Sequence, residues 1–254
     1  MEVAGKVAII TGGGTGVGRA TALALARRGC SVAVNYSRSR DEAEATAADV
    51  AKLGVRALAV QADVADDAAC RAMVDSAVRE LGRVDVLVQS AGITVFVPHT
   101  NLDAVSAADW QRVIGVNLIG AFQMARAVRA PMEAAGAGAI VNVSSVAGLV
   151  GVGSSIPYCA SKAGMNNLTI TLARALAPKI RVNAVAPGFI TGRWLAGGLG
   201  PAYDAVKKAF EARVPLGRVC EPEDVAAAVV SLVCGSDLVT GAILPVEGGM
   251  LIAS

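Results

Sequence analysis

The pattern Tyr-x-x-x-Lys occurs twice in this chain, at Tyr158 with Lys162 and at Tyr203 with Lys207, although the 254 residues include only three tyrosines and six lysines. A spacing of four places both side chains on one helix face. There an ammonium favours the phenolate and draws a phenol that titrates near pH ~10 toward neutrality, where it can pass a proton to or from oxygen. The two pairs differ in what precedes them. Upstream of Tyr158 runs Asn142-Val-Ser-Ser145, at the end of an apolar run that reads as a strand, and this supplies a hydroxyl. Tyr203 follows Gly197-Gly-Leu-Gly-Pro201, which reads as part of a mobile flap without a hydroxyl partner. The first pair is therefore assigned chemistry and the second a structural role. That chemistry is proton donation to a carbonyl oxygen as hydride arrives, or the reverse, with Ser145 holding the same oxygen.

A source of hydride is suggested by Thr11-Gly-Gly-Gly-Thr-Gly-Val-Gly18, which lies between a strand-like run and a helical one. Backbone amides at a helix N-terminus bind phosphate. The G-x-G-x-x-G fingerprint fails in every register. The Walker pattern fails too, because Arg19-Ala20 stand where Lys and Ser/Thr would hold phosphate and magnesium. The pattern T-G-x-x-x-G-x-G does fit, on Thr11, Gly12, Gly16 and Gly18. An NAD site usually has an acid at the end of strand two for the ribose hydroxyls. Here Asn35-Tyr36-Ser37-Arg38 follows that strand, so Ser37 and Arg38, with Arg40 in reserve, favour the 2′-phosphate of NADP over NAD.

The elements that must position these groups alternate along the chain, short β-branched runs with longer runs of helical period. Strands are expected at 7–10, 31–36, 57–60, 84–88, 139–143 and 181–185 and near Ile243. Helices are expected at 20–28, 41–53, 66–81, 109–134, 158–177 and 224–233. Right-handed crossovers between such units make a doubly wound parallel sheet in a single domain, 1–254, of α/β class.

Composition agrees. At 54% hydrophobic and 17% charged the chain has ample apolar surface to bury, and a net charge of +2 provides no field for nucleic acid or an anionic membrane. The stretch 134–161 has no charged residue and exceeds a bilayer span, but its Asn142, Ser144, Ser145, Ser154, Ser155 and Pro157 would be unsatisfied in lipid. It reads as a buried strand, a functional loop and the start of a helix. Five cysteines without C-x-x-C spacing and a start lacking a cationic, apolar leader point to a reduced, cytoplasmic setting without structural zinc. His99 is the only histidine, which disfavours a Ser-His-Asp triad. Cys159 points roughly 100° away from Tyr158 around the helix, so packing is its expected role.

The glycine loop, Asn117 in Val-Asn-Leu, Ser145, Tyr158 with Lys162, and Pro187-Gly188, in this order, resemble the short-chain dehydrogenase/reductase family from Lys6 to about Gly249. The resemblance implies a single Rossmann-type domain with a seven-stranded sheet, usually a homotetramer, and a catalytic tetrad of Asn117, Ser145, Tyr158 and Lys162. It implies cofactor contacts from Gly12, Thr15, Gly16, Val17 and Gly18, from Asp63 and Val64 to adenine, and from Ser90, Ala91 and Gly92. Tyr158 and Lys162 would also touch the cofactor, and Pro187, Gly188, Ile190 and Thr191 would meet the nicotinamide carboxamide. Two departures stand out. Gln89-Ser-Ala-Gly92 replaces Asn-Asn-Ala-Gly, so the side-chain bonds bracing the sheet must be replaced or lost. Gly192 stands where a hydroxyl is frequent, with Thr191 one earlier.

Within the family the chain is most similar to 3-oxoacyl-carrier-protein reductase-like members, through Asn35-Tyr-Ser-Arg-Ser39 and Val141-Asn-Val-Ser-Ser-Val-Ala-Gly148. The loops 93–99 and 146–156 and a flap at 191–213 would select the substrate. Their apolar character suits an acyl chain or hydrophobic ketone, with NADP(H) as cofactor and no metal. Competing readings are an NAD-dependent alcohol or sugar dehydrogenase of the same family and a non-catalytic NADP-binding regulator.

Overall fold

A computed structural model describes residues 1–253. Seven strands, β1 (Val7–Thr11), β2 (Ser31–Tyr36), β3 (Ala57–Gln61), β4 (Val86–Gln89), β5 (Gly138–Val143), β6 (Ile180–Pro187) and β7 (Ile243–Val246), form one wholly parallel sheet in the order β3-β2-β1-β4-β5-β6-β7. The order reverses between β1 and β4, so their carboxyl ends open a crevice, the place where such sheets bind ligands. Alternation along each strand feeds two cores. Ala8 and Ile10 of β1 pack with α1 (Gly16–Ala26), α2 (Arg40–Ala51) and, at the far end of the chain, α10 (Pro222–Cys234). Val7 and Ile9 pack with α3 (Asp67–Leu81), α5 (Gly120–Ala134) and α7 (Ile156–Leu176). Ile9 and Ile10 are fully buried, each contributing roughly 1.5–3 kcal/mol of transfer free energy.

Local chemistry sets the helix ends. Asp66 caps α3 by accepting from the Ala68 and Ala69 amides, and Gly82 ends it at φ 92°. Ser155 caps α7 by accepting from the Tyr158 amide, with Pro157 in the first turn.

The structure differs from expectation in two places that matter for the site. The helix expected at 109–134 is two helices, α4 (Ala107–Ile114) and α5, joined by a turn of π-helix at Gly115–Ile119 that contains Asn117. Such wide turns are frequent at functional sites. The segment 191–213, expected as a mobile flap, folds into α8 (Arg193–Leu199) and α9 (Tyr203–Arg213), with a short α6 (Ala147–Val150) following Ser145. Aromatic packing explains the order in the flap: Phe189 lies 5.8 Å from Tyr203 and 5.2 Å from Phe210, centroid to centroid. Among the described residues no helix is long and apolar enough to cross a membrane.

Candidate active site

A cleft of about 1180 Å³ opens over the carboxyl ends of β1, β2 and β4. Its floor is the glycine loop. Gly12 (φ 62°) and Gly16 (φ 51°) take left-handed backbone conformations. A Cβ on Gly18 would fall 2.3 Å from the Gly12 carbonyl oxygen, so the third glycine lets the helix start press against the loop. The Asn35 carboxamide braces the loop from β2: Oδ1 accepts from the Gly12 amide at 3.3 Å and Nδ2 donates to the Ala62 carbonyl at 3.0 Å. On the other side the Ala91 amide donates to Thr11 Oγ1 at 3.1 Å. The start of α1 therefore faces the cleft with its first amides, and nothing lies within 4 Å of where a Gly16 Cβ would stand. That open cradle fits the pyrophosphate of a dinucleotide.

Of the residues expected at the cofactor, Gly12, Thr15, Gly16, Val17, Ser37, Arg38, Asp63, Val64, Ser90, Ala91, Gly92, Tyr158, Lys162, Ile190 and Thr191 all line this one cleft. Arg38 is exposed and, among the described residues, pairs with no carboxylate. Arg40 turns instead to Glu44 at 3.5 Å and lies over the Tyr36 ring. Gly18, Pro187 and Gly188 are not in the wall: Gly18 supports the loop from below, Pro187 carries the carbonyl that Ser145 and the Val146 amide face, and Gly188 donates to Val246. The Thr191 hydroxyl donates to the Glu221 carboxylate, and its amide to the Cys220 carbonyl at 2.8 Å.

Asn117 and Ser145 stand just behind the wall. Asn117, fully buried, clamps Ile93 by both amide groups, accepting from its N–H at 2.8 Å and donating to its C=O at 2.9 Å, and also donates to Ser161 Oγ at 3.0 Å. A Cβ on Gly92 would lie 3.5 Å from Asn117 Oδ1 and 3.7 Å from Lys162 Nζ, so the three meet at one point. Ser145 Oγ accepts from the Ala147 amide at 3.1 Å and lies 3.4 Å from the Pro187 carbonyl, one of the acceptors its rotatable hydroxyl can reach. The Gln89 departure is resolved in place: Gln89 Nε2 donates to the Ala121 carbonyl at 2.9 Å and to Asn142 Oδ1 at 3.1 Å, and Asn142 donates on to Thr169 at 2.8 Å. A longer amide thus replaces the brace.

Burial acts against the expected lowering of the phenol. The Lys162 ammonium sits 5.7 Å from the centre of the Tyr158 ring and is buried; desolvation pushes the phenol up to about 12, with the neighbouring Ser145 hydroxyl pulling the other way. The ammonium is itself disfavoured by burial and titrates at about 8, donating meanwhile to the Val143 carbonyl at 2.7 Å. Desolvation is the largest cause for both groups.

The second Tyr-Lys pair keeps its structural role: Tyr203 accepts from the Gly192 amide at 3.4 Å and Lys207 pairs with Glu211 at 3.5 Å. His99 and Cys159, expected apart from the chemistry, meet at 3.9 Å away from the cleft wall. Sequence reasoning missed Arg19, Glu42, Ser144 and Arg112 as cleft residues. Of these, Glu42 had one signal, an acid in the first turn of α2 beside the expected phosphate site.

A family model described as Enoyl-(Acyl carrier protein) reductase matches residues 12–251. The chain belongs to the short-chain dehydrogenase/reductase family. Among the relatives of this short-chain dehydrogenase/reductase is cis-4-hydroxycyclohexanecarboxylate dehydrogenase of Sinomonas cyclohexanicum, 44% identical over 252 residues, covering 97% of this chain and 96% of the relative. A 3-oxoacyl-[acyl-carrier-protein] reductase of Staphylococcus aureus is 39% identical over 247 residues, covering 96% and 98%. The solved structure of NAD+-bound xylitol dehydrogenase superposes with a TM-score of 0.89 at 33% identity, covering 98% of this chain and all of that one. The protein is thus an oxidoreductase acting on carbonyl and alcohol groups with a nicotinamide cofactor.

Proposed function

We propose that this protein is an NADP(H)-dependent carbonyl reductase whose substrate is a 3-oxoacyl thioester or a hydrophobic ketone. The observation that carries this reading is the phenol of Tyr158 on the cleft wall, with the Lys162 ammonium 5.7 Å from its ring centre and Ser145 beside it. When bound, the cofactor supplies hydride to the carbonyl carbon. Tyr158 delivers its proton to the carbonyl oxygen, and Ser145 Oγ orients that oxygen by hydrogen bonding. Lys162, a cation 5.7 Å from the Tyr158 ring, stabilises the phenolate left when that proton departs, and its donation to Val143 fixes its place. Asn117, with Ile93 clamped, holds the wall at the point where Gly92 and Lys162 meet.

Preference for NADP(H) is supported by Arg38 and Ser37 on the wall at the end of β2, where no acid stands. Assembly as a homotetramer fits the exposed Ile119 and Phe122 on the α4–α5 face and the exposed Leu244 of edge strand β7. Five free cysteines suit a reducing, cytoplasmic setting.

The test is to follow NADPH and NADH consumption with a panel of 3-oxoacyl thioesters, diketones and hydrophobic ketones. Reduction with NADPH faster than with NADH, and loss of turnover in Tyr158→Phe with cofactor binding retained, is the expected result. Absence of reduction with either cofactor, or wild-type turnover in Tyr158→Phe, refutes the reading.

A further inference from the structure

Trp194 and Gly198 are four residues apart on α8 and share a face. That face rests on Phe96. The Phe96 and Trp194 rings meet edge-on at 5.9 Å, and a Cβ on Gly198 would fall 2.0 Å from Phe96 Cζ, so the Phe96 ring fills the notch that the glycine leaves. Phe96 itself sits on a braced loop. Thr94 Oγ1 lies 2.6 Å from Ser154 Oγ, the Val97 amide donates to the Ser154 carbonyl at 3.0 Å, and Ile93 is held by Asn117. The Trp194 ring also stands 5.8 Å from the Tyr158 ring, tilted by 49°. Trp194 lines the cleft and is 46% exposed. An indole is therefore held beside the proton donor, from a rigid loop, with much of its surface open.

We propose that Trp194 is a specificity-determining residue, a flat wall on which a ring bearing the reacting carbon stacks. The substrate class is then an uncharged cyclic or aromatic ketone and its secondary alcohol, in preference to straight-chain ketones. This rests on the carbonyl-reductase reading above and narrows its substrate. A ring offers a fixed face to the indole and gives up little torsional freedom on binding, whereas each methylene of a chain loses rotamers. The neighbouring cation of the flap, Arg193, is engaged by Glu42 at 2.7 Å, and a carboxylate beside that wall would have to displace this acid.

The experiment compares a cyclic ketone with the straight-chain ketone of equal carbon number in wild type, Trp194→Phe and Trp194→Ala. Trp194→Ala raises KM for the ring about tenfold, equivalent to about 1.4 kcal/mol, and changes KM for the chain by less than about twofold. Trp194→Phe keeps the preference, and the NADPH dissociation constant is the same in all three. A second readout does not need turnover. The chain has two tryptophans, so in Trp110→Phe, on the outer helix α4, all tryptophan emission comes from Trp194. With NADP+ present, that emission responds to the cyclic alcohol more than to the straight-chain one. Equal effects of Trp194→Ala on both ketones, a changed cofactor affinity, or an emission indifferent to the ring overturns the proposal. If wild type reduces no ketone while the emission still responds to the ring, the carbonyl-reductase reading fails and the wall at Trp194 stands.

Discussion

Arg193 and Glu42 form an ion pair of 2.7 Å across 151 positions of sequence, joining the first residue of α8 to the first turn of α2 over the mouth of the cleft. The guanidinium holds the Glu42 carboxyl below the usual carboxylate range. Both side chains remain exposed, so the pair is weak and screened by salt.

As a clasp over the bound cofactor, it should slow release modestly. Glu42→Gln and Arg193→Gln are expected to speed NADPH release about two- to fivefold at low ionic strength, an effect that fades near 1 M salt. The exchanged pair, Glu42→Arg with Arg193→Glu, restores slow release. Stopped-flow displacement measures this, and unchanged rates in the single variants would remove the clasp from the account.

Lys162 carries a stability cost with a defined pH window. Its folded value of about 8 lies below the ordinary 10.5, so the folded chain binds this proton less tightly than the unfolded one. Stability therefore rises with pH between about 8 and 10.5, and the cost, about 3 kcal/mol, is complete below that window. Lys162→Met should raise the Tm at pH 7, with the gain shrinking as pH passes from 8 toward 10.5. Thermal unfolding across this range checks it. A Tm gain that does not depend on pH would mean that the charge is not the cause.

Glycines 16 and 18 should fail in different ways. Gly18→Ala drives a methyl into the Gly12 carbonyl, 2.3 Å away, so the fold itself loses about 1–3 kcal/mol along with cofactor binding. Gly16→Ala meets open space but is strained at φ 51° and puts its methyl toward the phosphate cradle. It is expected to cost about 1 kcal/mol of stability while abolishing cofactor binding. Denaturant melts paired with calorimetric titration of NADPH separate the two outcomes.

Gln89→Ala leaves the Ala121 carbonyl and Asn142 Oδ1 without their buried donor, a loss of about 1–3 kcal/mol. Chemical denaturation should show it with little change in NADPH affinity, because Gln89 is absent from the cleft wall. A neutral effect on stability would mean that Gln89 does not brace the sheet.

The strands and the larger helices could be read along the chain because their signals are local. Ser31–Tyr36 was expected at those bounds, and α3 announces itself by Asp66 and Gly82. The π-helical turn at Asn117 could not be read this way. Its cause is not in the neighbours of Asn117 but in Ile93 and Ser161, which claim its amide across 24 and 44 positions. Likewise the flap looked mobile because its glycines and proline dominate locally, whereas its order comes from Phe96, Phe189 and Tyr158 packing against it.

The sequence by itself determined the α/β sheet, the glycine loop after β1 and the missing acid after β2, and it supplied the grounds for proposing Tyr158 and Lys162 rather than Tyr203 and Lys207. These follow from periodicity, glycine placement and short spacings, which survive in one dimension. Only the tertiary structure decided the direction in which the site's groups are shifted and the shape of its mouth. Desolvation depends on everything packed around a group, so it raised Tyr158 and lowered Lys162 where spacing alone pointed to a lowered phenol. The wall of Trp194 on Phe96 and the clasp of Arg193 on Glu42 likewise arise only when distant segments are folded over one cleft.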